Sequence, residues 1–195
     1  MSEHMALENL TVLDLTRVLA GPFCTMMLAD MGANVIKIEV PKGGDDTRSY
    51  PPFRAKNLDG ERESVYFANI NRNKKGITLN LKAPEGKEIF KELVKKADIV
   101  VENYRPGVMD KLGLGYDVLK EINPRIIYAA VSGFGCYGPY HLRPGYDILA
   151  QAMGGMMSIT GSKGGEPTRA GSALGDILGG LHVTIGILAA VNART

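Results

Sequence analysis

Cysteine, tryptophan and charge of one sign are what this sequence has least of. There are two cysteines, no tryptophan and three histidines in 195 residues. Cys24 and Cys136 form neither a CxxC pair nor a Cys/His cluster, so zinc signatures are excluded and no metal is expected. Two cysteines in so long a chain make no disulfide framework. Two reduced thiols in a cytoplasmic protein are expected. Lys+Arg number 23 and Asp+Glu 21, a net charge of +2. No nucleic-acid partner follows from that excess, although a sum is blind to local patches. Met1 to Glu8 holds two acids and no apolar run, so no secretory leader is expected. The apolar stretch from Leu174 to Val191 is interrupted by Gly175, Asp176, Gly179, Gly180 and His182. It reads as a buried helix and not as a membrane span.

Several motifs are missing too. No GxGxxG follows the first apolar run, which removes the dinucleotide fingerprint. GxxxxGK[ST], GxSxG and HExxH are also absent, and with them the P-loop, hydrolase-elbow and zincin readings.

What is present is an alternation. Leu10 to Leu15 (LTVLDL) reads as a buried strand. Pro22 suits a first helical turn, and the helix through FCTMMLAD stops near Gly32. Val35 to Val40 is the next strand, completing a βαβ unit. Further strands are read at Gly76 to Leu81, Ala97 to Glu102 and Arg125 to Val131. Helices are read after Pro84, at Tyr116 to Ile122, at Asp147 to Met153 and at Leu174 to Ala193. Pro41 to Arg62 and Gly133 to Gly145 read as loops, and a loop as long as the first is usually functional or mobile. The expected fold class is α/β: a Rossmann-like domain with a mostly parallel sheet flanked by helices. Ligands of such sheets bind at the carboxyl ends of the strands. Those ends carry Thr16 to Pro22, Glu102 to Gly107 and Ser132 to Gly135. Small residues, an asparagine and two arginines there suit an extended ligand with phosphates and an adenine. The same glycines and prolines would also serve simply as turns.

Six strings carry a resemblance: VLDLTRVLAGPFCTMMLADMGANVIKIE, GGDDTR, NRNKKGITLNLK, VENYRPGVMDKLGLGY, NPRIIYAAVSGFG and GSALGDILGG. In this order they resemble the class III CoA-transferases, the CaiB/BaiF-like group that includes formyl-CoA transferases. The resemblance covers nearly the whole chain. It implies that residues 1–195 form an N-terminal CoA-binding α/β domain. Family members are longer, adding a small second domain and a return segment with a glycine-rich loop over the catalytic aspartate. Nothing resembling that loop follows Asp176 in this sequence. An interlocked homodimer is implied for the full-length form, with no nucleic acid, no membrane and a cytoplasmic setting.

The resemblance also implies site residues. Val18 and Ala20 would line coenzyme A near its start. Leu79 and Lys82 would flank the adenine end. Asn103, Tyr104, Arg105 and Lys111 would form a further contact set, and Gly133 and Phe134 would approach the pantetheine. Val40 departs from members with an arginine at that position, which removes one phosphate contact. No permanently bound cofactor is implied; coenzyme A and its thioesters enter as substrate, with a small carboxylic acid as partner. Tyr50 either faces the acyl pocket or packs locally.

Asp176 is the central residue. Spacing alone makes it an acid at a helix start, where N–H dipoles favour the ionised form. By the resemblance it is the nucleophile that carries the acyl group, and Gly179 and Gly180 would leave room for acyl-CoA. The implied reaction moves CoA from an acyl-CoA thioester to a free carboxylic acid through a covalent aspartyl intermediate. One alternative is an α-methylacyl-CoA racemase, which places a histidine where Tyr146 precedes Asp147. A phenol with a pKa near ~10 is a poor base at neutral pH. The other alternative is an inactive CoA-binding fragment.

Overall fold

The computed structural model describes residues 4–54, 60 and 62–194. Five strands form one parallel sheet: β1 (Thr11–Asp14), β2 (Asn34–Glu39), β3 (Lys75–Thr78), β4 (Ile99–Glu102) and β5 (Ile127–Ala130). Their order across the sheet is β3-β2-β1-β4-β5, each neighbouring pair parallel. The order reverses between β1 and β4, and at that switch point the carboxyl-end loops diverge to open a crevice. The α/β, mostly parallel arrangement expected from the sequence is the one observed.

Alternation along the central strands divides the interior in two. Val12, Ile99 and Val101 join Cys24, Leu28 and Ile187 on one face. Leu13 and Val100 join Phe90, Val94 and Leu119 on the other. The first layer is built by α1 (Ala20–Asp30) and the second by α3 (Pro84–Val94) and α5 (Tyr116–Ile122). Two short helices escaped the sequence reading. The first, α2 (Val65–Ile70), is capped by the Ser64 hydroxyl, which accepts from Phe67 N–H at 3.2 Å. The other, α4 (Val108–Leu112), lies between Gly107 and Gly113, both left-handed. The expected loop from Pro41 to Arg62 holds a 3-10 turn at Asp46–Ser49; residues 55–59 and 61 lie outside the described residues.

Two helices follow the long loop after β5. They are α6 (Asp147–Met153) and α7 (Leu174–Arg194). Length and composition alone would let α7 cross a membrane. The expectation of a buried helix needs correction. Only Gly180, Thr184 and Ile187 of α7 are buried, while Leu178 and Ile185 are exposed. One flank packs on α1 and β5. A Cβ on Gly180 would stand 2.5 Å from the Ala20 carbonyl oxygen and 3.2 Å from Phe23 Cδ1. That close approach accounts for the glycine. At the far end Arg194 donates to Asp98 Oδ1 at 2.8 Å and to the Arg125 carbonyl at 3.0 Å. Asp98 Oδ2 in turn accepts from Thr11 N–H at 2.9 Å.

Candidate active site

The switch-point crevice is a cavity of about 500 Å³. The loop after β1 forms one wall and is held from beneath by buried charge. Lys37 on β2 donates to the Thr16 carbonyl at 2.8 Å and to Asp45 Oδ2 at 2.9 Å. Asp45 Oδ1 accepts from Val18 N–H at 3.2 Å. Val18 has φ 67, a left-handed conformation that β-branched residues rarely adopt. The hydrogen bond from its N–H to Asp45 helps to hold it there. Deeper down, Asp14 accepts from the Thr16 and Thr25 hydroxyls and pairs with Lys74 at 3.1 Å. Burial alone would push the Asp14 carboxyl up, but Lys74, Lys37 and the two hydroxyls outweigh it and hold it low.

The loop after β4 forms the facing wall. Asn103 ties the two walls together. Its Oδ1 accepts from Arg17 N–H at 2.9 Å and its Nδ2 donates to the Arg17 carbonyl at 2.7 Å. Glu102, just before it, is buried and accepts from Tyr104 N–H at 2.7 Å and from the Tyr128 hydroxyl at 3.2 Å. Burial pushes its carboxyl up to about 7, against those two hydrogen bonds. The loop after β5 closes the third side. Phe134 meets Tyr140 edge-to-face at 5.8 Å, and the Arg143 guanidinium lies 4.1 Å over the Tyr140 ring.

The floor is the start of α7. Asp176 is its third residue, half-buried, and lines the cavity. Among the described residues none donates a hydrogen bond to its carboxylate. The anion at the helix start is Asp147 instead, whose Oδ1 accepts from Gly175 N–H at 2.8 Å. This corrects the expectation that helix N–H dipoles keep Asp176 low. Burial raises its carboxyl, and the nearby Asp147 carboxylate raises it further.

Of the expected residues, Val18, Ala20, Asn103, Tyr104, Arg105, Gly133 and Phe134 line this cavity with Asp176. Leu79, Lys82 and Lys111 do not. Leu79 packs against the core beneath α3, while Lys82 and Lys111 are exposed. Gly179 lines the cavity, but Gly180 is turned to α1, so the space expected at both glycines exists only at the first. Tyr50 packs locally, meeting the Tyr66 ring at 5.9 Å. Tyr146 and Arg143 line the cavity as well, and Arg143 was not anticipated. Gln151, also not anticipated, is buried beneath Asp147 and donates to it at 2.8 Å. The signal for it was the i,i+4 acid–amide pair within one short helix.

The model of CoA-transferase family III matches residues 7–195. The chain belongs to CoA-transferase family III. Its relatives include an acyl-CoA transferase of Fusarium pseudograminearum, 52% identical over 99% of this chain and 43% of that protein. A succinyl-CoA:mesaconate CoA-transferase of Haloarcula marismortui is 49% identical over 97% of this chain and 48% of its own length. The crystal structure of a CaiB/BaiF family protein from Brucella suis superposes with a TM-score of 0.93 at 45% identity. It is covered over 98% of this chain and 50% of that one. The family III chain described here thus spans about half the length of the curated relatives it matches.

Proposed function

We propose that this chain carries the nucleophile-bearing, coenzyme A-binding part of a CoA-transferase. The reaction moves CoA from an acyl-CoA thioester to a free carboxylic acid. One observation carries the reading: a half-buried carboxylate, Asp176, opens onto the switch-point cavity of the sheet with no hydrogen-bond donor among the described residues. Relatives named for succinyl-CoA with mesaconate or glutarate, and for formyl- or acetyl-CoA with oxalate, support an acyl-CoA and a small carboxylic acid as the substrate pair.

The steps balance as carboxylate chemistry. An Asp176 oxygen attacks the thioester carbonyl, the C–S bond breaks, and CoA leaves as thiolate with a mixed anhydride behind it. The thiolate attacks the Asp176 carbonyl carbon, the anhydride C–O bond breaks, and the donor leaves as carboxylate. An aspartyl-CoA thioester remains. The acceptor carboxylate then runs the same exchange in reverse. No net proton is transferred, and backbone N–H groups stabilise each oxyanion. Val18, Ala20, Asn103, Tyr104, Arg105, Gly133 and Phe134 contact the CoA in this reading. Tyr146 stands where a racemase needs its histidine base, which favours transfer over racemisation. The active form in this reading is a homodimer, which size-exclusion chromatography tests.

The decisive test is Asp176→Ala, with succinyl-CoA and a panel of carboxylic acids. Mass spectrometry of the unmodified protein is expected to show a covalent adduct at Asp176. The variant is expected to show none, with transfer reduced by about 10³-fold or more. Transfer at the normal rate by Asp176→Ala would refute the reading.

A further inference from the structure

Gln151 is the only buried residue of α6, whose other positions are exposed or half-exposed. A buried amide is costly unless both of its ends are bonded. Here both are. Nε2 donates to Asp147 Oδ2 at 2.8 Å and to the Ser172 carbonyl at 3.3 Å. Oε1 accepts from Ala170 N–H at 2.8 Å. Asp147 Oδ1 takes the N–H of Gly175. The pair therefore grips the lead-in to α7 at residues 170, 172 and 175, and Asp176 is the next residue. The seat is tight. A Cβ on Gly175 would stand 2.9 Å from Ala150 Cβ and 3.2 Å from the Asp147 carbonyl oxygen.

We propose that Gln151 is a positioning residue: through Asp147, Ala170 and Ser172 it fixes the first turn of α7 and so sets where the Asp176 carboxylate stands. This rests on Asp176 as the nucleophile and deepens that reading. An amide is required because the site needs a donor toward Asp147 and an acceptor toward Ala170 at once. Glutamate lacks the donor and methionine lacks both. A reacting group displaced by about 1 Å loses on the order of 10²-fold in rate, while binding elsewhere on the ligand is spared.

The test compares two readouts on the full chain: the rate of adduct formation with succinyl-CoA, and the affinity for coenzyme A by calorimetry. Gln151→Met is expected to slow the adduct by about 10- to 100-fold with coenzyme A affinity nearly unchanged. Gln151→Glu sets two carboxylates together and is expected to be slow as well. Adding Asp147→Asn to Gln151→Glu restores a donor–acceptor pair between the two side chains and the original net charge, though not the donor to the Ser172 carbonyl, and is expected to recover part of the rate. Should Gln151→Met not fold, the Glu single and the Glu/Asn double variant decide alone. Adduct formation at the normal rate in Gln151→Met overturns the proposal. So does a parallel loss of coenzyme A affinity, or a double variant no faster than Gln151→Glu. These outcomes differ from failure of the function itself, which appears as no adduct in the unaltered chain or as undiminished transfer by Asp176→Ala.

Discussion

Replacing Gly180 by alanine sets a general helix preference against a single contact. At an open helical position Gly→Ala stabilises by about 1 kcal/mol. At Gly180 the added methyl meets the Ala20 carbonyl oxygen at 2.5 Å and the Phe23 ring edge at 3.2 Å. A carbonyl in the first turn of α1 yields less readily than a side-chain tip, so α1 and α7 must separate. Overpacking of this kind costs about 1–3 kcal/mol, which outweighs the propensity gain. Gly186, further along the same helix, supplies the matched control, because its Cβ would meet nothing within 4 Å. Gly180→Ala is expected to destabilise by about 1–2 kcal/mol and Gly186→Ala to stabilise by about 0.5–1 kcal/mol. For a chain of this size the two melting midpoints should then differ by roughly 4–10 °C. Circular dichroism during heating and urea titration reads the difference. Equal stability of the two variants would refute the close crossing of α1 and α7.

Three further outcomes are expected. Glu102 binds its proton up to about pH 7 in the folded state, above the usual 4.5. The native chain therefore holds a proton that the unfolded chain has released, and stability falls as pH rises from about 4.5 to about 7, by about 3 kcal/mol. Glu102→Gln should flatten that interval in urea titrations at stepped pH; an unchanged slope would count against the burial of the carboxyl. Lys74→Met leaves Asp14 buried with one partner fewer and is expected to cost about 3–5 kcal/mol, read as the urea midpoint. Asn103→Ala severs both bonds between the β1 and β4 loops, and coenzyme A affinity by calorimetry should fall by about tenfold.

The strands were legible because their residues can do little else. Val12, Leu13, Ile99, Val100 and Val101 are apolar, mostly β-branched and buried on both faces, as a parallel sheet requires. Asp176 was legible as a helix-start acid, and the role proposed for it rests on the motif around it. The electrostatic surroundings were not legible. Asp147 caps α7 from 28 residues away in the chain, a distance that no local pattern spans. Lys37 and Lys74 look like ordinary surface lysines until β2 and the turn before β3 carry them under the β1 loop. Short helices such as α4 fail for another reason. Five residues bury too little to leave a periodic signature, and their ends are set by glycine conformation.

The two-faced sheet has a practical consequence. Val12 and Val100 belong to different interiors although their strands are neighbours. The helices beside the Asp176 carboxylate, α1 and α7, lean on one interior alone. The other, around Phe90 and Leu119, is screened from them by the strands. Substitutions far apart with no shared partner act additively. Tyr104 alone of the cavity residues named above packs against that side; away from it, the α3–α5 interior is a reservoir where robustness can be raised or lowered with little effect at the Asp176 cavity.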